Sequence, residues 1–269
     1  MDEHIESYFE EFSDDGSRGN FHKVIALHDS PDVDWKIISQ KIPQLPKGWY
    51  ELAQLPVQDR IEFSRDFWIS KLPFHLNAEE FIEDFFGSMD DVGIFIVQKT
   101  FEDPFEAQMV YSIEGNNGFY RGGTPATEED IFFLQTLFSE MVLPEDYLAF
   151  LQIHNGFCKT TDCTGITSTH SIPETFQNFQ FLLEQNEPLK TTQDEPLDPK
   201  TLIPFYESFG MPFFQCFWSE WYPAQEMGNV YYSGETNSIS DTRTRVASPE
   251  NMAFPTFLDW LMFYLERVE

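Results

Sequence analysis

The strongest constraint on the fold is residues 143–156, a segment in which the sequence marks both ends of a helix. Pro144 can begin a helix because the first turn does not use its missing amide donor, and the two acidic residues after it suit the positive end of the helix dipole. The Asn155–Gly156 pair supplies a left-handed stop. Positions at helical spacing between these ends form one face, consisting of Tyr147, Phe150, Leu151 and His154. Such a face must be buried against another element.

Two more helices and two strands are marked in the same half of the chain. Thr127 and Asp130 resemble a capping box, which opens a helix whose face contains Ile131, Leu134, Phe138 and Met141. The chain closes on a helix from about Thr256, with an apolar stripe formed by Phe257, Trp260, Leu261, Tyr264, Leu265 and Val268. Residues 211–218 and 229–233 are largely apolar or aromatic and predict strands. Helices flanking strands indicate an α+β domain whose helices pack on a sheet.

These pieces follow the order of a known family pattern. An LPxDYxxFLxxxNG helix is followed by Ile203-Pro204-Phe205, an aromatic strand, a Gly-Asn-Val-Tyr-Tyr strand and a final FxTFLDWLxxYL helix. Residues 127–269 therefore resemble the SUKH superfamily, which includes fungal cell-wall-synthesis regulators of the Smi/Knr type and many bacterial toxin-immunity proteins. The resemblance implies a twisted, mainly antiparallel sheet with packed helices, and work done by binding a protein rather than by catalysis. The matching positions look like architecture and not like a binding site: Leu143, Pro144, Tyr147, Phe150, Leu151, Asn155 and Gly156.

Residues 1–126 lie outside this resemblance and predict an N-terminal α/β extension. Residues 57–72 indicate a helix in which Ile61, Arg65, Trp68 and Leu72 share one stripe, with Phe63 and Phe67 beside it. Residues 92–99 and 107–113 predict two strands joined by a loop, and a short third strand is expected near Phe119. No long flexible linker precedes Thr127, so we expect residues 1–126 to extend the SUKH-like domain of residues 127–269 rather than to stand wholly apart.

Two segments are expected to be loosely held. Residues 1–20 combine carboxylates with turn formers, which favours an acidic arm. Residues 184–200 contain three prolines, five carboxylates and little that is apolar. We therefore expect an exposed, mobile loop over residues 184–200.

Charge decides which partners the chain can bind. It carries 16 Lys and Arg residues against 46 Asp and Glu residues, a formal net charge of −30 at pH 7. Nucleic-acid affinity is built largely from basic residues that displace counterions, and anionic membranes recruit basic segments, so we expect neither as a partner. The acidic field should instead speed the encounter with basic proteins. The predicted partner is a basic protein, whose identity, like the oligomeric state, stays open.

Cysteine use and hydropathy favour a soluble protein of the cytoplasm. Cys158, Cys163 and Cys216 cannot all pair within one chain. The N-terminal residues lack the cationic start and apolar stretch of a secretory signal, and free thiols are typical of the cytoplasm. The strongest apolar runs are short pieces such as Val92–Val97, whereas a bilayer span needs about 20 residues.

The best metal candidates are His154, Cys158, Cys163 and His170, since tetrahedral zinc accepts two sulfurs and two nitrogens. Neither cysteine pair has the close Cys-x2-Cys spacing, so we favour buried thiols and capping histidines and expect no metal and no cofactor. The chain also lacks a Gly-x-Ser-x-Gly motif and a phosphate-binding P-loop. We therefore expect no catalytic residue and no enzyme activity, with a hydrolase that has an unrecognised site as the alternative.

The strongest candidate for a protein-binding surface is the segment Trp218–Pro223. Trp and Tyr dominate binding hot spots, and here they stand beside carboxylates that suit a basic partner. The predicted site residues are Trp218, Glu220, Trp221, Tyr222 and Glu226. The alternative is that Trp218 belongs to the core and only Trp221 is partly exposed. The predicted function is a non-catalytic acidic protein-binding module, either a toxin-immunity protein or an intracellular regulator.

Overall fold

The computed structural model describes residues 3–13, 18–115, 118–162, 164–186, 188–191, 195–208, 212–243 and 252–266. Two compact units divide the chain: the first is Met1–Lys71 with Glu79–Pro125, and the second is Leu72–Ala78 with Ala126–Glu269. Both units combine helices with mainly antiparallel strands, which confirms the predicted α+β class. The domains 1–126 and 127–269 stay a prediction, which limited proteolysis can test.

The first unit contains five helices and four strands among its described residues. The helices are α1 (Glu3–Tyr8), α2 (Trp35–Lys41), α3 (Lys47–Ala53), α4 (Val57–Lys71) and α5 (Ala78–Gly87). The strands are β1 (Lys23–Ala26), β2 (Met89–Gln98), β3 (Glu106–Ile113) and β4 (Phe119–Gly123). They pair antiparallel in chain order. The predicted strands at 92–99 and 107–113 and the short strand at Phe119 are therefore present.

The acidic N-terminal segment is anchored where the structure describes it, so the predicted loose arm over residues 1–20 is wrong for residues 3–13. Ile5 and Phe9 are buried, and the ring of Phe9 stacks on that of Phe95 with centroids 4.0 Å apart. The Glu11 carboxylate pairs with the Lys23 ammonium at 2.7 Å. The free energy gained by burying Ile5 and Phe9 thus exceeds the preference of the carboxylates for a solvated, loose segment, because burying each such side chain contributes about 1.5–3 kcal/mol.

Helix α4 buries most of the predicted stripe, and Leu72, just beyond the end of the helix, is buried with it. Trp68 and Ile61 are buried as expected, but Phe63 and Phe67 are exposed. The buried face includes Arg60, whose guanidinium donates to the Asp91 carboxylate at 2.6 Å and to the Val92 carbonyl at 2.6 Å. A buried arginine is tolerated only when it is paired in this way. The sequence pattern therefore identifies most of the buried face of α4 but misses Arg60.

The second unit contains four helices and eight strands among its described residues. The helices are α6 (Glu128–Leu137), α7 (Glu145–Leu151), α8 (Ile172–Gln185) and α9 (Phe257–Leu265). The strands are β5 (Phe157–Lys159), β6 (Gly165–Ile166), β7 (Lys190–Thr191), β8 (Leu202–Glu207), β9 (Phe213–Trp218), β10 (Asn229–Ser233), β11 (Ser238–Ile239) and β12 (Ala253–Phe254). Their order is β5-β6-β8-β9-β10-β11-β7, and β12 also pairs with β10. Only the β7–β11 pair is parallel among these described strands.

Helices α7 and α9 pack on this sheet as predicted. Tyr147 on α7 contacts Phe217 on β9, with ring centroids 5.0 Å apart, and Trp260 on α9 meets Phe205 on β8 at 4.9 Å. The helices also meet each other where Phe150 lies 5.5 Å from Phe257. All of these aromatic residues are buried. The core of the second unit therefore lies between this helix pair and the central strands.

The Asn155–Gly156 pair forms the predicted left-handed turn, but α7 itself ends earlier, at Leu151, with Gln152 as its C-cap. Gly156 has φ +95°, a conformation that favours glycine. The Asn155 side chain donates to Thr169 Oγ1 at 2.8 Å and accepts from the Thr169 amide at 2.7 Å. These two bonds tie the segment after α7 to the turn before α8.

Residues 184–200 are only partly the loop that the sequence predicts, because most of their described residues are exposed but two leucines are buried. Helix α8 continues to Gln185, and β7 occupies Lys190–Thr191. Leu189 and Leu197 are buried in one cluster with Phe179 and Val230. Burial of these two leucines is enough to anchor the segment. The average composition, which is dominated by prolines and carboxylates, does not reveal this. Residues 187 and 192–194 lie outside the described part of the chain.

Candidate protein-binding site

The predicted site residues are Trp218, the last residue of β9, and four residues of the loop that joins β9 to β10, here called the 219–228 loop. Its ends are closed by a hydrogen bond from the Trp218 amide to the Gly228 carbonyl at 3.0 Å. Inside it, the Trp221 amide donates to the Trp218 carbonyl at 3.0 Å, and the Gly228 amide donates to the Trp221 carbonyl at 2.9 Å. The backbone of this loop is therefore fixed by its own hydrogen bonds.

Trp218 and Trp221 anchor the 219–228 loop to a buried cluster of the second unit. Both are half-buried and pack against the cluster that contains Cys216 and Val230. The six-membered ring of Trp221 lies flat on Gly228, where an added Cβ would stand 2.4 Å from ring atom Cε3. Only glycine leaves room for the ring at this position. Trp218 and Trp221 thus give the loop its rigidity, and their role in binding a partner stays a prediction.

Tyr222 and Glu220 are exposed to solvent, as are residues 223–225 of the loop. Tyr222 is 47% exposed, and Glu220 is also exposed. The aromatic ring that a partner would meet first is therefore that of Tyr222 and not that of Trp221. The hot-spot pattern in the sequence identifies the right loop, but it does not distinguish the anchoring ring from the displayed one.

The side chain of Glu226 connects the 219–228 loop to the beginning of α7. The backbone amide of Glu145 donates a hydrogen bond to the Glu226 carboxylate, which lowers its pKa, but burial and the nearby Glu145 carboxylate raise it, and the net pKa is raised. Glu226 therefore sits at the positive end of α7 beside a second acid. Two carboxylates that repel each other at this edge leave a place that a cation would stabilise.

Beneath Glu226 lies Asp146, a buried carboxyl group that sequence analysis did not assign to the site. Its Oδ1 accepts from the Tyr147 amide at 2.8 Å, and its Oδ2 accepts from the Leu258 amide at 2.9 Å. Burial raises the pKa of Asp146 to about 7, with Glu226 adding to the effect and the backbone hydrogen bonds opposing it. Asp146 therefore links the beginnings of α7 and α9.

The segments that build this site contain no basic side chain. The sequence has no Lys or Arg over residues 122–158, which include α7, or over residues 201–242, which include β9, the 219–228 loop and β10. Among the described residues, the recorded salt bridges involve none of Glu145, Glu220 and Glu226. The local field is therefore negative and is not neutralised by the site itself.

The structure describes three of the four predicted metal candidates. The ring of His154 is buried and stacks on Phe157 with centroids 5.4 Å apart. His170 is exposed, and its Nε2 lies 3.5 Å from Asp130 Oδ1. Cys158 is half-buried, while Cys163 lies outside the described residues. Across the part of the chain that the structure describes, no three His, Cys, Asp or Glu residues are grouped so that they could hold a metal ion.

A second polar cluster, around Asp162, was also missed by sequence reasoning. Tyr206 donates its hydroxyl to Asp162 Oδ1 at 3.0 Å, and the Tyr264 hydroxyl donates to Oδ2. The Lys159 amide also donates to Oδ2, at 3.0 Å. The ring of Tyr264 stacks on Trp260 of the same helix. With its oxygens used by these donors, Asp162 fixes the turn between β5 and β6 to α9, and no spacing in the sequence indicates this.

The fold and site together define a SUKH-type domain, in which a helix pair packs on a mainly antiparallel sheet and the site lies on a loop. A family model described as SMI1 / KNR4 family (SUKH-1) matches residues 125–261. The match covers half of the chain, and the chain belongs to this family.

No curated protein and no solved structure matches the chain. Within the described residues, no helix is both long enough and apolar enough to cross a membrane.

Proposed function

We propose that this protein is a non-catalytic, acidic module that binds a basic protein through the 219–228 loop and the adjacent beginning of α7. The observation that carries the proposal is the exposed ring of Tyr222 in an acidic surface that contains no Lys or Arg of its own segments. A Tyr ring combines apolar area with a hydroxyl and loses little conformational entropy when it is fixed. It is therefore suited to anchor a partner.

Rigidity of the loop supports this function. A loop that is ordered before binding loses less conformational entropy at the moment of association. The packing of Trp221 on Gly228 and the three backbone hydrogen bonds of the loop provide that order. A Lys or Arg of the partner that entered between Glu145 and Glu226 would relieve the repulsion between them.

The family gives this binding a biological setting. The SUKH family is associated with protein–protein interaction in toxin-immunity systems. In the immunity role, the protein occludes the active region of a toxin whose surface is basic. In the regulatory role, the same surface holds a resident intracellular protein. Both roles place the protein in the cytoplasm, and neither involves nucleic acid or a membrane as the partner.

Asp146 is the one group in the site that invites an enzymatic interpretation. A carboxyl group with a pKa of about 7 beside a second carboxylate resembles a general acid. However, Asp146 is only 3% exposed, and both of its oxygens accept backbone amides. A general acid must reach the proton acceptor of a substrate. The geometry of Asp146 therefore supports a structural role, and a hydrolase is not favoured.

Capture from native lysate tests the proposal. Immobilised wild-type protein should retain a basic protein at low salt, and Tyr222→Ala should retain much less of it. Phe181→Ala is the matched control, because Phe181 is an exposed aromatic on α8 of the same unit. Equal recovery by all three baits would contradict a binding role for the 219–228 loop.

A further inference from the structure

Helix α6 presents apolar side chains on both of its sides. Ile131 and Leu134 are buried, as a helix that packs on its unit requires. On the outer side, Phe132 is 70% exposed, Phe133 is 48% exposed and Leu137 is 42% exposed. These three side chains are here called the α6 face. Single exposed apolar residues are common, but Phe133 and Leu137 lie one helical turn apart and Phe132 adjoins Phe133, and clustered exposed apolar side chains favour an interface.

Carboxylates border the α6 face at both ends. Glu128 and Glu129 lie one turn before Phe132 and Phe133, and Glu140 follows Leu137 by three residues. All three are exposed. This segment also lies within residues 122–158, which contain no Lys or Arg. An apolar centre with a charged border is the usual arrangement of a protein interface, and here the border carries one sign only.

The backbone that displays the α6 face is well fixed. Thr127 and Asp130 form the predicted capping box, in which the Asp130 amide donates to Thr127 Oγ1 at 3.1 Å and the Thr127 amide donates to Asp130 Oδ2 at 2.8 Å. At the other end, the ring of Phe138 packs on that of Phe176 with centroids 5.4 Å apart. The exposed side chains therefore project from a rigid helix.

We infer that the α6 face docks an amphipathic helix of a protein partner, with apolar residues on the side that meets Phe132, Phe133 and Leu137 and with Lys or Arg on its flanks. Phe133 and Leu137 form a ridge at i, i+4 spacing, and such ridges pack into the grooves of another helix. Basic flanks would face Glu128, Glu129 and Glu140. The inference rests on the proposed function for the sign of the partner's charge, and it adds a contact surface apart from the 219–228 loop.

Other occupants fit this surface less well. A second copy of the chain would bring the same three carboxylates against their counterparts, because a two-fold interface pairs like surfaces. An anionic membrane would be repelled by them. A basic helix alone satisfies both the apolar centre and the acidic border.

Fluorescence anisotropy with a labelled helical peptide of Leu and Lys tests the inference. The expected result is binding that weakens about tenfold or more in Phe132→Ser, as for a hot-spot residue. Glu129→Gln/Glu140→Gln should weaken binding less and reduce its dependence on salt. Phe101→Ser is the matched control, since Phe101 is a 78% exposed ring of the first unit, and it should bind like the wild type. A helical peptide of Leu and Glu should not bind.

Several outcomes would overturn the inference. No binding of the Leu–Lys peptide, or equal affinity of Phe132→Ser and wild type, would do so. Loss of binding in Tyr222→Ala with none in Phe132→Ser would move the docking site to the 219–228 loop and leave the proposed function intact. A wild-type dimer in sedimentation that Phe132→Ser dissociates would assign the face to a second copy. Binding to phosphatidylcholine vesicles that Phe132→Ser abolishes would assign it to a membrane.

Discussion

Asp146→Asn should change how the stability of the protein depends on pH. Burial raises the pKa of Asp146 from 3.8 to about 7 in the folded state. The folded protein therefore holds this proton more tightly than the unfolded chain, and the resulting stabilisation is complete below pH 4 and is lost as the pH rises towards 7. The pKa of Asp146 thus differs by about 3 between the folded and the unfolded state. Since a pKa difference of one corresponds to about 1.4 kcal/mol, the stabilisation has an upper bound on the order of 4 kcal/mol.

The Asp146→Asn variant separates the effect of the carboxyl proton on stability from the effect of the two backbone hydrogen bonds. The side chain introduced by Asp146→Asn would keep one carbonyl acceptor but would place an amide group against either the Tyr147 or the Leu258 amide, which costs about 1–3 kcal/mol at any pH. The variant should thus be clearly less stable than the wild type at pH 5, and the difference should shrink or change sign at pH 8.

Urea unfolding followed by tryptophan fluorescence at both pH values measures these differences. Asp198→Asn is the control, since Asp198 is an exposed carboxylate that accepts the Lys200 amide at 3.0 Å. An equal loss of stability in Asp146→Asn at pH 5 and pH 8 would show that the carboxyl group is ionised throughout. The assignment of a raised pKa to Asp146 would then be wrong.

Three further substitutions test the packing. Phe150→Ala should cost about 3–5 kcal/mol of unfolding free energy, as for a buried aromatic, and a loss below about 1 kcal/mol would contradict its placement in the core. Gly228→Ala should displace Trp221 and alter its fluorescence, whereas Gly48→Ala, where nothing lies within 4 Å, should not destabilise. Arg60→Met should cost about 3–5 kcal/mol because it leaves Asp91 buried without its cation; equal melting temperatures of variant and wild type would refute this pairing.

Local signals explain which parts of the fold could be predicted. The beginning of α7 is predictable from Pro144 and that of α6 from its capping box, whereas α7 ends at Leu151, before the Asn155–Gly156 pair. The strands β2 and β3 are predictable from their own apolar residues. In each case the residues that decide the conformation lie within a few positions of one another.

Contacts between distant positions account for the errors. The anchoring of α1 depends on Phe9 meeting Phe95, and the inner face of α4 depends on Arg60 meeting Asp91. Leu189 is buried in one cluster with Phe214 and Val230, which lie far from it in the sequence. None of these contacts produces a periodic pattern in the sequence. The carboxylates around α1, and the prolines and carboxylates around Leu189, indicated exposed segments instead.

The candidate site likewise contains residues that the sequence could group and residues that it could not. Trp218, Trp221, Tyr222 and the two glutamates could be grouped because they lie within nine consecutive residues. Asp146 could not be added, because its position beneath Glu226 arises only when α7 and α9 meet on the sheet. The sequence likewise could not show that Trp221 rests on Gly228 while Tyr222 faces solvent.

The salt dependence of partner capture tests the central claim most directly. Wild-type protein and Glu145→Gln/Glu226→Gln should be compared as baits at low and at high salt. The account predicts that the wild type retains a basic protein at low salt, that high salt reduces this retention, and that the double variant retains less of it with a weaker response to salt. Retention of the same protein in equal amounts by both baits at both salt concentrations would contradict an acidic protein-binding site at the 219–228 loop.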